Sequence, residues 1–167
     1  MSDAPTTRRT PRQVIDRLLH PREQREILDA VRAAEQRTSG ELKVHVEAHC
    51  RAVDPYTRAV QLFEKLGVHR TEGRNGVLVY VATHDRRYAI IGDVGIGEPQ
   101  GSEMWTEATR QLSIALRRGA AGEGITAAVR ALGDRLARRF PAARGGKDEI
   151  ENEISTEDTS PGGTARG

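Results

Sequence analysis

The sequence predicts an α/β fold, a three-layer α/β/α sandwich in which a small mixed β-sheet carries helices on both faces. Three observations predict it. Residues 41–48, ELKVHVEA, alternate apolar and polar in the manner of a strand, while residues 76–82, GVLVYVA, are continuously apolar, as in a strand covered on both sides. Apolar stripes at helical spacing precede, separate and follow these runs.

Residues 1–10 are polar, contain Pro5 and show no periodicity, and are expected to form a disordered arm. Val14, Ile15, Leu18 and Leu19 then mark a short helix from Pro11, and Ile27, Leu28, Val31 and Ala34 a second from Pro21 to Arg37. Gly40 is expected to cap that helix. In the first strand Leu42, Val44, Val46 and Ala48 face one way, and Glu41, Lys43, His45 and Glu47 the other. The simplest reading of that polar face is a solvent-facing edge strand. Asp54-Pro55 is a strong helix start, and Tyr56, Ala59, Val60, Phe63 and Leu66 carry that helix to Gly67.

Strand 76–82 is followed by the turn THDRR and a further strand, YAIIG (88–92). The connection is too short for a crossover, so this pair must be an antiparallel hairpin. The helix between the first and second strands permits a right-handed parallel βαβ unit. After the glycine-rich stretch Gly92–Gly101, Trp105, Ala108, Leu112, Ala115 and Leu116 mark a helix behind Ser102, and Ile125, Ala128, Val129, Leu132, Leu136 and Phe140 mark a last one from about Gly124. Pro141 closes the domain, expected over residues 11–141, and residues 142–167 are expected to be a flexible acidic tail.

Composition excludes several classes. The 167 residues are 37% hydrophobic and 30% charged, and they include no apolar run near the roughly 18–20 residues that cross a bilayer. MSDAPTTRRTPRQ leads into no apolar stretch, so a cytoplasmic location without membrane attachment is expected. The single cysteine, Cys50, offers neither an internal disulfide nor a cysteine zinc site, and reads as a structural or incidental thiol. The net charge of +2 divides into +5 over residues 1–140 and an acidic tail. The arginines sit beside acids, as in Arg22, Glu23, Arg25 and Glu26, which suits a mixed solvated surface better than a nucleic-acid stripe.

The candidate chemistry lies in three places. Asp93-Val94-Gly95-Ile96-Gly97-Glu98 lacks the third glycine of a dinucleotide loop, but its acids supply oxygens suited to calcium or magnesium. Solvated carboxylates on a turn are the plainer reading. If the first strand runs parallel to the second, Glu41, Arg74, Asn75, Asp93 and Glu98 meet at one sheet end, where three carboxylates would call for a cation. His45, Glu47 and His49 at alternate strand positions form a second candidate set, for a transition metal. Asp85 or Asp93 offers an aspartyl nucleophile, although Asp85 in His84-Asp85-Arg86-Arg87 is more simply a turn residue.

The run RNGVLVYVATHDRRYAIIGDVGIGE, 74–98, resembles the TPM-domain family, named for a thylakoid-lumen phosphatase, a photosystem-repair protein and a receptor-associated protein. The resemblance rests on Asn75-Gly76, Asp85-Arg86 and Asp93 to Glu98, with Thr38-Ser39-Gly40-Glu41, Phe63-Glu64-Lys65-Leu66-Gly67 and Gly119…Gly124-Ile125 in the flanks. It covers about residues 22–140 and is strongest for short cytosolic bacterial members with an Asn-Glu pair in the tail, here Asn152-Glu153. Ile96 stands where an aromatic is usual. The resemblance implies an acid-lined cleft binding a divalent cation, with Glu103 as a further acid, and in some relatives a weak acid phosphatase activity. Three readings follow: a cation-binding domain using Asp93 with Glu41, Glu98 or Glu103; a metal-dependent phosphatase with Arg74 on the phosphoryl oxygens; and a non-catalytic interaction or stress-response module. In the last, the acidic tail recruits a basic protein partner or shields the basic body.

Overall fold

In a computed structural model the described residues are 7–99, 102–142 and 152–159. Residues 1–6, 143–151 and 160–167, parts of the expected arm and tail, lie outside them, as do residues 100–101 of the glycine-rich stretch. Among the described residues, five α-helices surround a four-stranded mixed sheet: α1 Pro11–Leu18, α2 Pro21–Arg37, β1 Glu41–Glu47, α3 Pro55–Lys65, β2 Gly76–Ala82, β3 Arg87–Gly92, α4 Glu103–Arg117, α5 Ala121–Arg139 and β4 Ile154–Ser155. The spatial order is β3-β2-β1-β4. β1 and β2 run parallel and β2–β3 is the expected antiparallel hairpin.

Alternation along β2 separates two cores. Val77, Val79 and Val81, with Leu42, Val44 and Val46 of β1, pack against α1, α2, α4 and α5. Leu78, Tyr80 and Ala82, with Ile91, pack against Ala59 and Leu62 of α3. Helices therefore cover both faces, four on one and one on the other. Local signals place their ends. The Thr10 hydroxyl accepts from Gln13 N at 3.3 Å to start α1, and Asp54 Oδ1 accepts from Thr57 N at 2.7 Å to start α3.

Four expectations are corrected. Gly40 does not cap α2; the cap is Thr38 in extended conformation, and Gly40 instead lies close against Asn75 O across the sheet end. α5 begins three residues earlier than expected, because Gly124 is a contact residue rather than a breaker: a Cβ there would lie 2.6 Å from the Ala115 Cβ of α4. The polar face of β1 is not solvent-facing, since Glu41, Lys43, His45 and Glu47 are all buried. Nor is β1 an edge strand: residues 152–159, read as mobile tail, run along it and add β4 in parallel, pairing Val44 with Ile154 and His45 with Ser155. At the other terminus Thr10 is fixed as the α1 cap and Arg9 pairs with Asp158.

Candidate functional site: two polar clusters on one sheet

The first cluster lies at the sheet end where β1 and β2 begin and β3 finishes. Parallel register sets Glu41 beside Gly76, and the hairpin returns Asp93 to the same place, its N–H donating to Gly76 O at 2.9 Å. Asn75 lies between them, with its N–H on the Thr71 hydroxyl at 3.1 Å and its amide Nδ2 on the Ser39 hydroxyl at 3.2 Å. The topology thus brings Glu41, Arg74, Asn75 and Asp93 to one edge. Glu41 and Asp93 remain two strands apart, about 10 Å at the usual strand spacing.

Asp93 is almost wholly buried, and its carboxylate is fully engaged. Arg74 grips it in a two-point pair, Nε to Oδ2 at 2.8 Å and Nη2 to Oδ1 at 3.0 Å, while Val94 N donates to Oδ1 at 2.7 Å. The hydrogen bonds to Asp93 raise the Arg74 pKa and hold the guanidinium charged. Arg74 reaches this position through a left-handed backbone, φ 48°, and its side chain is half exposed. The glycine pair permits the loop: a Cβ on Gly95 would lie 2.2 Å from Gly73 O and 2.5 Å from Arg74 O. Ile96 is buried and packs toward Gly92 and Trp105, a core position. Glu98 pairs with Arg139 at 2.6 Å, and Glu103 is exposed in the first turn of α4, where both acids line a shallow groove with Arg135 and Arg138.

The second cluster was largely illegible in the sequence. Glu47 accepts from Tyr80 Oη at 2.6 Å and from Arg58 Nε and Nη2, both at 2.9 Å, and faces His45 Nε2 at 3.1 Å. An ionised carboxylate only accepts, so His45 Nε2 carries a proton and Nδ1 meets the Ser155 hydroxyl at 2.8 Å. Arg58 also donates to Glu157 at 2.6 Å, and Lys65 pairs with the same carboxylate. Burial alone would raise the Glu47 pKa, but His45, Arg58 and Tyr80 together bring it down to about 2. Burial and Glu47 push the Tyr80 hydroxyl well above its ordinary range, so it stays protonated. The result is a hydroxyl–imidazole–carboxylate line, but its imidazole is sealed from solvent and its carboxylate is neutralised by Arg58. It holds the C-terminal segment, with the half-buried Ser155 hydroxyl also 3.3 Å from Val44 O.

His49 leaves this line. Its Nδ1 meets Asp85 Oδ1 at 2.8 Å, and Cys50 N donates to Asp85 Oδ2 at 2.7 Å, so Asp85 ties the end of β1 to the β2–β3 turn. His45, Glu47 and His49 therefore do not converge, and among the described residues no three His, Cys, Asp or Glu side chains are grouped to hold a metal ion. Also among the described residues, no helix is long and apolar enough to cross a membrane. Of the network residues the sequence reading missed, Tyr80 left a trace as the one polar side chain in an apolar run. Arg58, Ser155 and Glu157 left none.

A family model for the TPM domain matches residues 14–135. The fold is similar to the NMR structure of the BA42 protein from the psychrophilic bacterium Bizionia argentinensis, at 34% identity and TM-score 0.76, covering 83% of this chain and 95% of that one. It is also similar to the N-terminal domain of the cg2496 protein from Corynebacterium glutamicum, at 16% identity and TM-score 0.53, covering 96% and 95% of the two chains. No curated protein matches.

Proposed function

The chain belongs to the TPM domain family, and from that premise we propose that it is a cytoplasmic binding module whose acidic sheet end takes a divalent cation, calcium or magnesium. The observation that supports this is the state of Asp93. A nearly buried carboxylate needs a positive partner, and here the partner is a half-exposed guanidinium on a left-handed residue rather than a sealed ion pair. Carboxylate oxygens suit a hard cation, but the four acids are not grouped as they stand. Asp93 is held by Arg74, Glu41 lies two strands away, and Glu98 and Glu103 line a groove with Arg135, Arg138 and Arg139. A cation would have to displace Arg74 and draw a second acid toward Asp93. Asp93 would be the first ligand, the other three acids its candidates for completion, and Arg74 and Asn75 the walls of the cleft. Arg74 is then a competitor for the cation.

Amide shifts followed by NMR during calcium and then magnesium titration test this. Localised shifts at Glu41, Asn75 and 93–103 are expected in the wild type, with affinity about tenfold higher in Arg74→Gln, equivalent to roughly 1.4 kcal/mol. Asp93→Asn should lose them; an unchanged response in that variant rejects the assignment. A second reading, metal-dependent phosphatase, is favoured by one feature: Asp93 engages Nε and Nη2 of Arg74, which leaves Nη1 outside the pair for a phosphoryl oxygen. Absence of aryl phosphate hydrolysis between about pH 4 and 8 with either metal removes it.

A further inference from the structure

Residues 152–159 are held to the sheet less by backbone pairing than by side-chain recognition. The ladder is two residue pairs long, yet polar contacts follow at each step from Ser155 to Thr159. Ser155 meets His45, the Thr156 hydroxyl donates to Val46 O, and Glu157 bridges Arg58 and Lys65. Asp158 pairs with Arg9 at 3.1 Å, while Thr159 accepts at its carbonyl from Arg51 Nε at 3.0 Å and at its hydroxyl from His49 N at 2.9 Å. Ile154 adds an apolar anchor against the core. Three cations, Arg9, Arg58 and Lys65, thus face two consecutive acids on an extended strand, and a fourth, Arg51, holds the carbonyl of the residue that follows.

We propose that the outer edge of β1, with α3 and the β1–α3 loop, is a peptide-binding groove for an extended acidic segment of a partner protein, and that residues 152–159 occupy it as an internal competitor. An open strand edge is a general acceptor for an added strand: main-chain bonds supply affinity and flanking side chains supply selectivity. Here selectivity comes from His45 for a hydroxyl, from Arg58 and Lys65 for an acid two residues on, and from Arg9 for the next acid. A ladder of two pairs leaves most of the attachment to charge, so a segment of the same pattern delivered by a partner can displace the chain's own. The groove is separate from the Asp93 end of the sheet and does not depend on cation binding there.

The test uses the full chain and a fluorescein-labelled peptide of residues 152–159, NEISTEDT. In a variant carrying Glu157→Arg and Asp158→Arg the internal segment should leave, seen as amide shifts over residues 44–49. That variant should then bind the peptide at least tenfold more tightly than wild type, by fluorescence anisotropy. Adding Lys65→Glu to it, or reversing both acids of the peptide, should abolish binding. Equal affinity for both proteins, no binding to the released variant, or a segment that stays docked despite reversed charges each overturns the proposal. A wild-type dimer that the double substitution converts to monomer would also overturn it, because a second copy would then be the occupant.

Discussion

Glu47 is a fully buried carboxylate that stays ionised because three groups, His45, Arg58 and Tyr80, converge on it. Its folded pKa, about 2 against an ordinary 4.5, lies below the unfolded value, so its contribution to stability is complete above about pH 4.5 and is lost as pH falls toward 2. The shift sets that contribution at roughly 3 kcal/mol as an upper figure. Urea unfolding should show the loss over this window, and Glu47→Gln should flatten it. Removing one partner is a harsher change. Arg58→Met strips the guanidinium that neutralises Glu47 and should destabilise the fold by about 3–5 kcal/mol at neutral pH, read from the urea midpoint. The same variant should begin to lose stability at a higher pH, since the Glu47 pKa rises without its cation. An unchanged midpoint would show that His45 and Tyr80 suffice.

Among the elements, the loop from Asp93 to Gly97 is tightly constrained at one of its two glycines and open at the other. Gly95 has no room for a side chain against the carbonyls of Gly73 and Arg74, whereas Gly97, at φ 69°, has open space around its Cβ position. The two glycines therefore answer differently. Gly95→Ala must push two backbone segments apart, with an expected loss of about 1–3 kcal/mol and a disturbed Arg74–Asp93 pair. Gly97→Ala meets only the left-handed backbone penalty of about 1 kcal/mol, and Gly97→Asn less. Thermal unfolding of the three variants checks the ranking, and similar losses at both positions would contradict it. β1 teaches a related lesson. Its alternation announced a strand and its two faces correctly, but a polar face can be polar because it meets water or because it meets other polar groups. Only the partners on α3, β2 and β4 distinguish the two.

Over the whole molecule, charge is arranged locally. Arg22–Glu26, Arg32–Asp29, Arg37–Asp134, Arg110–Glu107 and Arg118–Glu123 are all exposed surface pairs. The C-terminal segment differs in concentrating several pairs on one strip. Raising salt from about 0.05 to 0.5 M should speed hydrogen exchange of residues 154–159 while leaving β2 protected, because the Lys65 and Arg9 ends of the pairs reach water and are screened whereas the apolar core is not. Exchange that ignores salt would mean that the two-pair ladder and Ile154 hold the segment instead.

By itself the sequence determined the order of the elements from α1 to α5 and the hairpin, and it permitted the parallel βαβ unit that gathers Glu41, Asn75 and Asp93 at one sheet end. Each of these follows from periodicity, caps and connection lengths that act within a short window. The tertiary structure alone decided that Arg74 neutralises Asp93, that Gly124 sits inside a helix contact, and that His45 and Glu47 are buried beneath the chain's own end. The physical reason is distance along the chain. His45 meets Ser155 across 110 residues and Arg58 meets Glu157 across 99, and no local pattern of residue types records a pairing that exists only once the sheet has formed.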